Sequence, residues 1–253
     1  MKFVGIIPAR YNSSRFPGKP LAKINGETMI SLVYKKVNQT LENVYVATDD
    51  ERIYNEVKSF GGNVLMTRSD HESGTDRIEE AVSQLKEEYD VVINIQGDEP
   101  FIHAQQIELL CQAFEESQTQ IATLGKLFNS TDEVVNPNSP KIVVDNKGYA
   151  LYFSRNVIPF IKGKTLQTLA EEPNLTDTFP YLKHIGIYAY RRQVLHEITQ
   201  LPQSSLEKIE GLEQLRWLEN GYKIKVSKTN IETIGIDTPE DLKKAELFLA
   251  HSL

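Results

Sequence analysis

Ile6–Leu21 reads IIPARYNSSRFPGKPL. An apolar run that starts at Phe3 ends at Pro8. It gives way at once to Arg10, Arg15 and Lys19, set among prolines, serines and Gly18. Density in Val and Ile on both faces marks the run as a buried parallel strand, and ligands of open α/β sheets bind outside the carboxyl ends of such strands. The basic loop stands in that place. Main-chain N–H groups of a tight loop can cradle phosphate oxygens, with Arg adding a planar fork and Lys a point charge. The stretch is neither of two familiar phosphate loops: PARYNSSRF lacks the glycines of a dinucleotide fingerprint, and Ser13 and Pro20 stand where a Walker A loop needs Gly and Ser or Thr. Taken alone, the cluster is equally a solvated basic loop.

Working outward, VYVATD (44–49), NVLMT (63–67) and DVVINIQGD (90–98) read as further strands of the same kind. Amphipathic helical patterns over 28–39, 50–60, 74–88 and 104–117 alternate with them. This order predicts right-handed βαβ units and a twisted, mainly parallel sheet. The second half differs. KIVVD and YALYFSR flank Asn146-Lys147-Gly148 at hairpin spacing, a Pro- and Gly-broken stretch spans 159–180, and KHIGIYAY, KIKVS and ETIGI read as strands. One helix is expected over 205–220, opened by Ser204 with Glu207 at the capping-box spacing. Another opens at Thr238-Pro239-Glu240-Asp241, a Thr cap with Pro at the first helical position.

Composition narrows the function classes. With 28 basic and 35 acidic residues the net charge is −7, which argues against a general nucleic-acid or membrane-surface binder. No apolar run approaches membrane-spanning length and no signal-peptide pattern opens the chain, so a cytoplasmic location is expected. Cys111 is the one cysteine; it excludes an internal disulfide and a multi-Cys metal site. A chain of 253 residues suits one α/β domain.

The motifs PARYNSSRFPGKPL, INGETMI, VATDD, SGTDRI, NIQGDEP, YALYFSR, KHIGIYAYR, LEQLRWLENG and IDTPEDL occur in this order nearly end to end. Together they resemble the sugar-activating nucleotidyltransferases, above all the branch that joins CTP to the keto-acid sugar 3-deoxy-manno-octulosonate (KDO). The resemblance implies a three-layer Rossmann-like nucleotidyltransferase fold over 1–253. Residues 1–127 would mainly bind nucleotide, and a smaller sheet and hairpin region in 128–253 would serve sugar binding and dimerisation. It further implies release of pyrophosphate and formation of CMP-KDO for lipopolysaccharide synthesis, a Mg²⁺ cofactor and a homodimer joined through the hairpin region. An 8-amino-KDO or sialic-acid cytidylyltransferase, and a non-catalytic binder of the same fold, are the alternatives.

Residue roles follow from the same resemblance. Arg10, Lys19 and Arg15 face the triphosphate, with main chain from Pro8 and Ala9. Asp98, behind Gly97 at the end of a strand, and Asp237, before the Thr238 cap, are the Mg²⁺ ligands; from residue type alone Asp98 is evenly balanced with a turn aspartate and Asp237 reads as a cap. Arg68, Ser73, Gly74 and Thr75 face cytosine or ribose, and Gln96 lies beside the metal. On the sugar side stand Arg155, for a carboxylate, His184 and Tyr188 on one face of their strand, and Glu213 and Gln214. The last two fall on a helical stripe with Glu210 and Trp217, opposite a core stripe of Leu206, Ile209, Leu212 and Leu215.

Overall fold

The computed structural model describes residues 1–12, 16–232, 235–236 and 238–250. In chain order its strands are β1 (Phe3–Ala9), β2 (Lys23–Ile24), β3 (Glu27–Thr28), β4 (Val44–Thr48), β5 (Val64–Met66), β6 (Val91–Asn94), β7 (Ile121–Leu127), β8 (Lys141–Val144), β9 (Ala150–Ser154), β10 (Leu182–Arg191) and β11 (Ile224–Lys228). The helices are α1 (Met29–Asn38), α2 (Glu51–Ser59), α3 (Gly74–Ser83), α4 (Ala104–Ala113), α5 (Thr131–Val135), α6 (Leu166–Ala170), α7 (Leu175–Thr178), α8 (Arg192–Thr199), α9 (Ser205–Glu210), α10 (Gln214–Glu219) and α11 (Pro239–Ala250). Contacts divide the chain into two compact units: Met1–Glu108 with Ala189–Thr199 and Thr233–Leu253, and Leu109–Tyr188 with Gln200–Glu232. Among the described residues no helix is long and apolar enough to cross a membrane.

In the first unit β1 pairs in parallel with both β4 and β6, and β4 with β5. The strand is covered on both faces. A methyl group added at Gly5 would meet Val37 and Leu41, at the C-terminal end of α1 and just beyond it, whereas Pro8 meets Gly74 of α3. Residues 5 and 8 point to opposite faces of a strand, so α1 and α3 lie on opposite sides of the sheet and make the three layers. Helix α1 presents Met29, Ile30, Val33 and Val37 to the core, all fully buried, and ends on Lys35 and Lys36, which complement the negative end of its dipole. Helix α3 stops at Ser83, short of the expected 88. Ser83 Oγ donates to the Glu80 carbonyl (2.7 Å) and the Gln84 N–H turns back to the Ala81 carbonyl (3.2 Å), tightening the last turn. Ile24, Met29, Ile236 and Ala245 form a further core cluster in this unit, with Phe16, Leu32, Phe101 and Leu242 packed against it. Thr238 and Asp241 cap α11 reciprocally, as its sequence predicts.

In the second unit β11 runs parallel to β7, and β8 pairs antiparallel with β9 and β10. The expected β8–β9 hairpin is present. Its turn is fixed by Asp145, whose carboxylate accepts from the N–H groups of Lys147 and Tyr149 (2.8 Å each), and by Gly148 at φ 78°. Strand β7 was not expected, and no strand runs through Gly235 and Ile236 where ETIGI predicted one; Thr233 and Ile234 lie outside the described residues.

The single helix expected over 205–220 is two helices, α9 and α10. Gly211 adopts a left-handed conformation (φ 61°, ψ 41°) and caps α9 through its N–H to the Glu207 carbonyl, the glycine stop of a helix C-terminus. The predicted stripes therefore do not exist: Ile209 of the supposed core face is 83% exposed, and Trp217 of the supposed open face is 1% exposed. What joins the two short helices is a buried bidentate ion pair. Arg216 Nε and Nη2 donate to Glu207 Oε2 (2.8 Å) and Oε1 (2.6 Å), and Glu207 Oε2 also accepts the Ser204 N–H, completing the predicted capping box. Removing one partner strands a buried charge. Glu207→Ala should therefore destabilise the second unit by about 3–5 kcal/mol, measured as a lowered urea midpoint; a loss below about 1 kcal/mol would place the pair among surface bridges.

Candidate active site

The site begins where β1 and β6 part. Gly5 N–H donates to Asn43 before β4, and the Ile6 carbonyl accepts from Ile95 after β6; odd residues of β1 thus face β4 and even residues face β6. The last β1–β6 register pair is Ile6 with Asn94. Pro8, which has no N–H to give, falls on the β6 side just beyond it. There the turn after β6 approaches so closely that a methyl group on Gly97 would lie 3.0 Å from the Pro8 carbonyl oxygen, which accounts for glycine at this point.

Beyond Ala9, paired with Thr48 of β4, Arg10 is exposed. The basic loop is closed by a main-chain bond from Gly18 N–H to the Tyr11 carbonyl (2.8 Å). Gly18 (φ 73°) turns the chain into a 3-10 helix over Lys19–Leu21. Lys19 Nζ then meets Asp98 Oδ2 at 2.5 Å, with the lysine side chain 13% and the aspartate 31% exposed. The Asp98 carbonyl accepts the Ile236 N–H (2.9 Å). Arg15 and Asp237 lie outside the described residues. Among the described residues no group of three or more His, Cys, Asp or Glu is placed to hold a metal ion. Asp98 presents a partly exposed carboxylate, a hard oxygen donor of the kind Mg²⁺ takes once or twice before completing its shell with phosphate and water.

Helix α3 points its N-terminus at the same strand end, with Gly74 against Pro8. Ser73 and Asp76 form a capping box, and Thr75 is buried. Arg68 gives its N–H to Glu80 (3.1 Å) while its guanidinium stays 70% exposed near Asp70 and Glu80. The sequence reading missed Arg77. It is buried, and it joins three elements: Nη2 meets Asp49 (3.2 Å) after β4, and Nη1 donates to Thr67 Oγ1 (2.5 Å) and to the Arg68 carbonyl (3.2 Å) after β5. The motifs VATDD and SGTDRI contain both ends of this tie. Gln96 Nε2 donates to Asn94 Oδ1 (3.2 Å).

The second unit holds the other candidates. The imidazole of His184 packs against Phe153 (5.2 Å) and Tyr188 (5.3 Å), and Tyr188 packs edge-on to Trp217 (5.1 Å). Thr123 Oγ1 donates to main-chain oxygen of Ile187 (2.8 Å), so its lone pair is what His184 Nε2 meets at 3.2 Å. That assigns the proton to Nε2 and leaves Nδ1 an acceptor. Burial pushes the His184 pKa down to about 3, keeping the ring neutral. Gln214 is 4% exposed and its Nε2 has no hydrogen-bond partner, a buried donor that a ligand hydroxyl would satisfy. Glu213 is partly buried, 3.8 Å from Arg216.

Arg155 is engaged along its whole fork. Nε donates to the Glu210 carbonyl (2.7 Å), Nη2 to that of Gly211 (3.2 Å) and Nη1 to that of Pro137 (3.2 Å). The Glu210 carboxylate takes the Ser154 hydroxyl (2.7 Å) and the Arg155 N–H (2.9 Å). Beneath them the fully buried Lys141 donates to the carbonyls of Asn136 and Arg155 (2.8 Å each), and burial above all lowers its pKa to about 8.

A family model described as cytidylyltransferase matches residues 4–225. The 3-deoxy-manno-octulosonate cytidylyltransferase of Parabacteroides distasonis is 58% identical over 99% of both chains, and that of Bacteroides thetaiotaomicron 57% over 99% of both. A solved structure of CMP:2-keto-3-deoxy-manno-octonic acid synthetase complexed with CTP is 42% identical, covers 100% of both chains and superposes with a TM-score of 0.90.

The geometry around Thr123 predicts that His184 stays in its neutral Nε2–H tautomer from about pH 5 to 8. Long-range ¹H–¹⁵N correlation on His-labelled protein reads this directly; an imidazolium signal in that range would show the assignment to be wrong.

Proposed function

The chain belongs to the cytidylyltransferase family, and from that premise we propose that it converts CTP and KDO to CMP-KDO and pyrophosphate, an activation step of lipopolysaccharide biosynthesis. Within the fold the observation that carries this reading is the Lys19–Asp98 pair at the parting of β1 and β6, with the exposed Arg10 directly following β1. A cation and a carboxylate held in contact there suit a substrate whose phosphates bring both negative charge and metal-binding oxygens.

In the proposed reaction the anomeric hydroxyl of the sugar attacks the α-phosphorus in line and gives up its proton to water. The bond from that phosphorus to the β-phosphate oxygen breaks, and pyrophosphate departs. Arg10, Arg15 and Lys19, with the main chain at Pro8 and Ala9, hold the phosphates; Ser73, Gly74, Thr75 and Arg68 face the cytidine; Gln96 is proposed for nucleotide and sugar. Asp98 and Asp237 are proposed to hold Mg²⁺, which when bound lowers the charge on the α-phosphate and steadies the leaving group. On the sugar, His184 Nδ1 accepts from a hydroxyl and Gln214 Nε2 donates to one, with Tyr188 and Glu213 alongside. Arg155 receives the carboxylate by exchanging one of its carbonyl partners. Positioning and charge neutralisation supply the rate, as is usual for transfer at phosphorus.

CTP is an intracellular substrate, and we place the reaction in the cytoplasm. We also propose a homodimer formed through the β8–β9 hairpin and the segment after it, where Leu151 (61% exposed) and Phe160 (70% exposed) present large apolar side chains. Sedimentation velocity should then give a dimer that Leu151→Glu with Phe160→Glu converts to monomer; an unchanged sedimentation coefficient would locate the contact elsewhere.

Pyrophosphate release with CTP and each of KDO, 8-amino-KDO and sialic acid tests the substrate. The expected order of kcat/KM puts KDO first, and a higher value with the 8-amino sugar would reassign it. Asp98→Asn should lower kcat roughly 100-fold or more with little change in Tm. Retention of wild-type turnover would remove Asp98 from the chemistry.

A further inference from the structure

Outside the proposed ligand contacts, the basic loop is gripped by α2. Arg52, in the first turn of that helix, lays its guanidinium on the ring of Tyr11, with Cζ 3.3 Å from the ring centroid. The plane of the guanidinium is set by Asp50, which accepts Nε at Oδ1 (2.9 Å) and Nη2 at Oδ2 (2.7 Å). Asp50 is itself fixed as the N-cap of α2, accepting the Arg52 N–H at 2.9 Å, and its carboxyl is held below the usual range first by the hydrogen bonds from Arg52. The Tyr11 ring also lies against Gly18: a methyl group there would sit 3.1 Å from Cε2, Cζ and Oη of the tyrosine. The Tyr11 carbonyl accepts the Gly18 N–H. Gly18 is the left-handed residue that starts the turn bearing Lys19.

We propose that Arg52, oriented by Asp50 and stacked on Tyr11, is a positioning residue that holds Gly18 and so presents Lys19 to the phosphates. A cation over an aromatic face is attracted by the ring quadrupole, and a bidentate carboxylate fixes the guanidinium plane in a way a lysine ammonium cannot reproduce. The side chain reaches the loop from the first turn of α2, and Asp50, which orients it, directly follows Asp49, the partner of Arg77.

This inference rests on the reading of the loop as the phosphate site of a CTP-dependent enzyme, and two independent measurements separate the two. In steady-state pyrophosphate release, Arg52→Ala should raise KM for CTP by about fivefold to tenfold and leave KM for KDO unchanged. Arg52→Lys should share most of that loss. In amide hydrogen exchange, which needs no turnover, Arg52→Ala and Tyr11→Leu should each speed exchange at Gly18 about tenfold, Tyr11→Phe should retain the protection, and the double variant should exceed neither single one. The proposal is overturned if Gly18 exchange in Arg52→Ala matches wild type, if the KM values for CTP and KDO rise together, or if the effects of the two single variants multiply. A wild-type protein that releases no pyrophosphate from CTP refutes the reaction instead, and Gly18 exchange then decides alone whether Arg52 holds the loop.

Discussion

A parallel strand hydrogen-bonds to its two neighbours through alternate residues, and a proline has nothing to give on its own side. In β1 that residue is Pro8, and its side is the one shared with β6. The two strands therefore part where the main chain runs out of donors, while pairing with β4 continues to Ala9. The strand order reverses at this point, with β4 and β5 on one side of β1 and β6 on the other, and such a switch point opens a crevice at the carboxyl edge. Gly97 allows the turn after β6 to close up against the Pro8 carbonyl, and the Lys19–Asp98 pair ties the two diverging loops. Helix α3, with Gly74 against Pro8, brings its N-terminus to the same edge.

In this acidic chain, burial and partners separate cations that hold the fold from cations left open to solvent. Arg77 and Arg216 are buried on Asp49 and Glu207 with good geometry, and Lys141 is buried on carbonyls alone. Losing any of these leaves partners without compensation. Arg10, by contrast, is exposed. Arg155 stands between the two classes, since each nitrogen of its guanidinium donates to a main-chain carbonyl, a partner that a carboxylate can replace.

Much of this was legible because particular residues admit few readings. The double-faced apolar runs of β1, β4 and β6 specify a covered parallel sheet. Asn146-Lys147-Gly148 specifies a turn and Thr238-Pro239 a helix start. Other features depend on tertiary partners that spacing does not reveal. Gly211 sits within a sound helical period, and the break there is compensated by tertiary partners: the Glu207–Arg216 pair and the bonds from Arg155 to the Glu210 and Gly211 carbonyls. Strand β7 contains Gly125 and Lys126, poor strand signals taken singly; Lys126 is 9% exposed and tolerated through its ion pair with Glu232. Arg77 looks like a solvated helix residue until Asp49 and Thr67 are brought to it.

The first unit is assembled from three separated stretches of chain. Its β6–β1–β4–β5 core and the basic loop after β1 lie within the first 108 residues, whereas the cover over Ile24 and Met29 comes from Ile236 and Ala245. On the ribosome, this four-stranded sheet can therefore pair long before its last apolar surface is shielded. A chain arrested at residue 232 would leave Ile24 and Met29 without Ile236 and Ala245, so an early sheet has to wait with part of its apolar surface open to water.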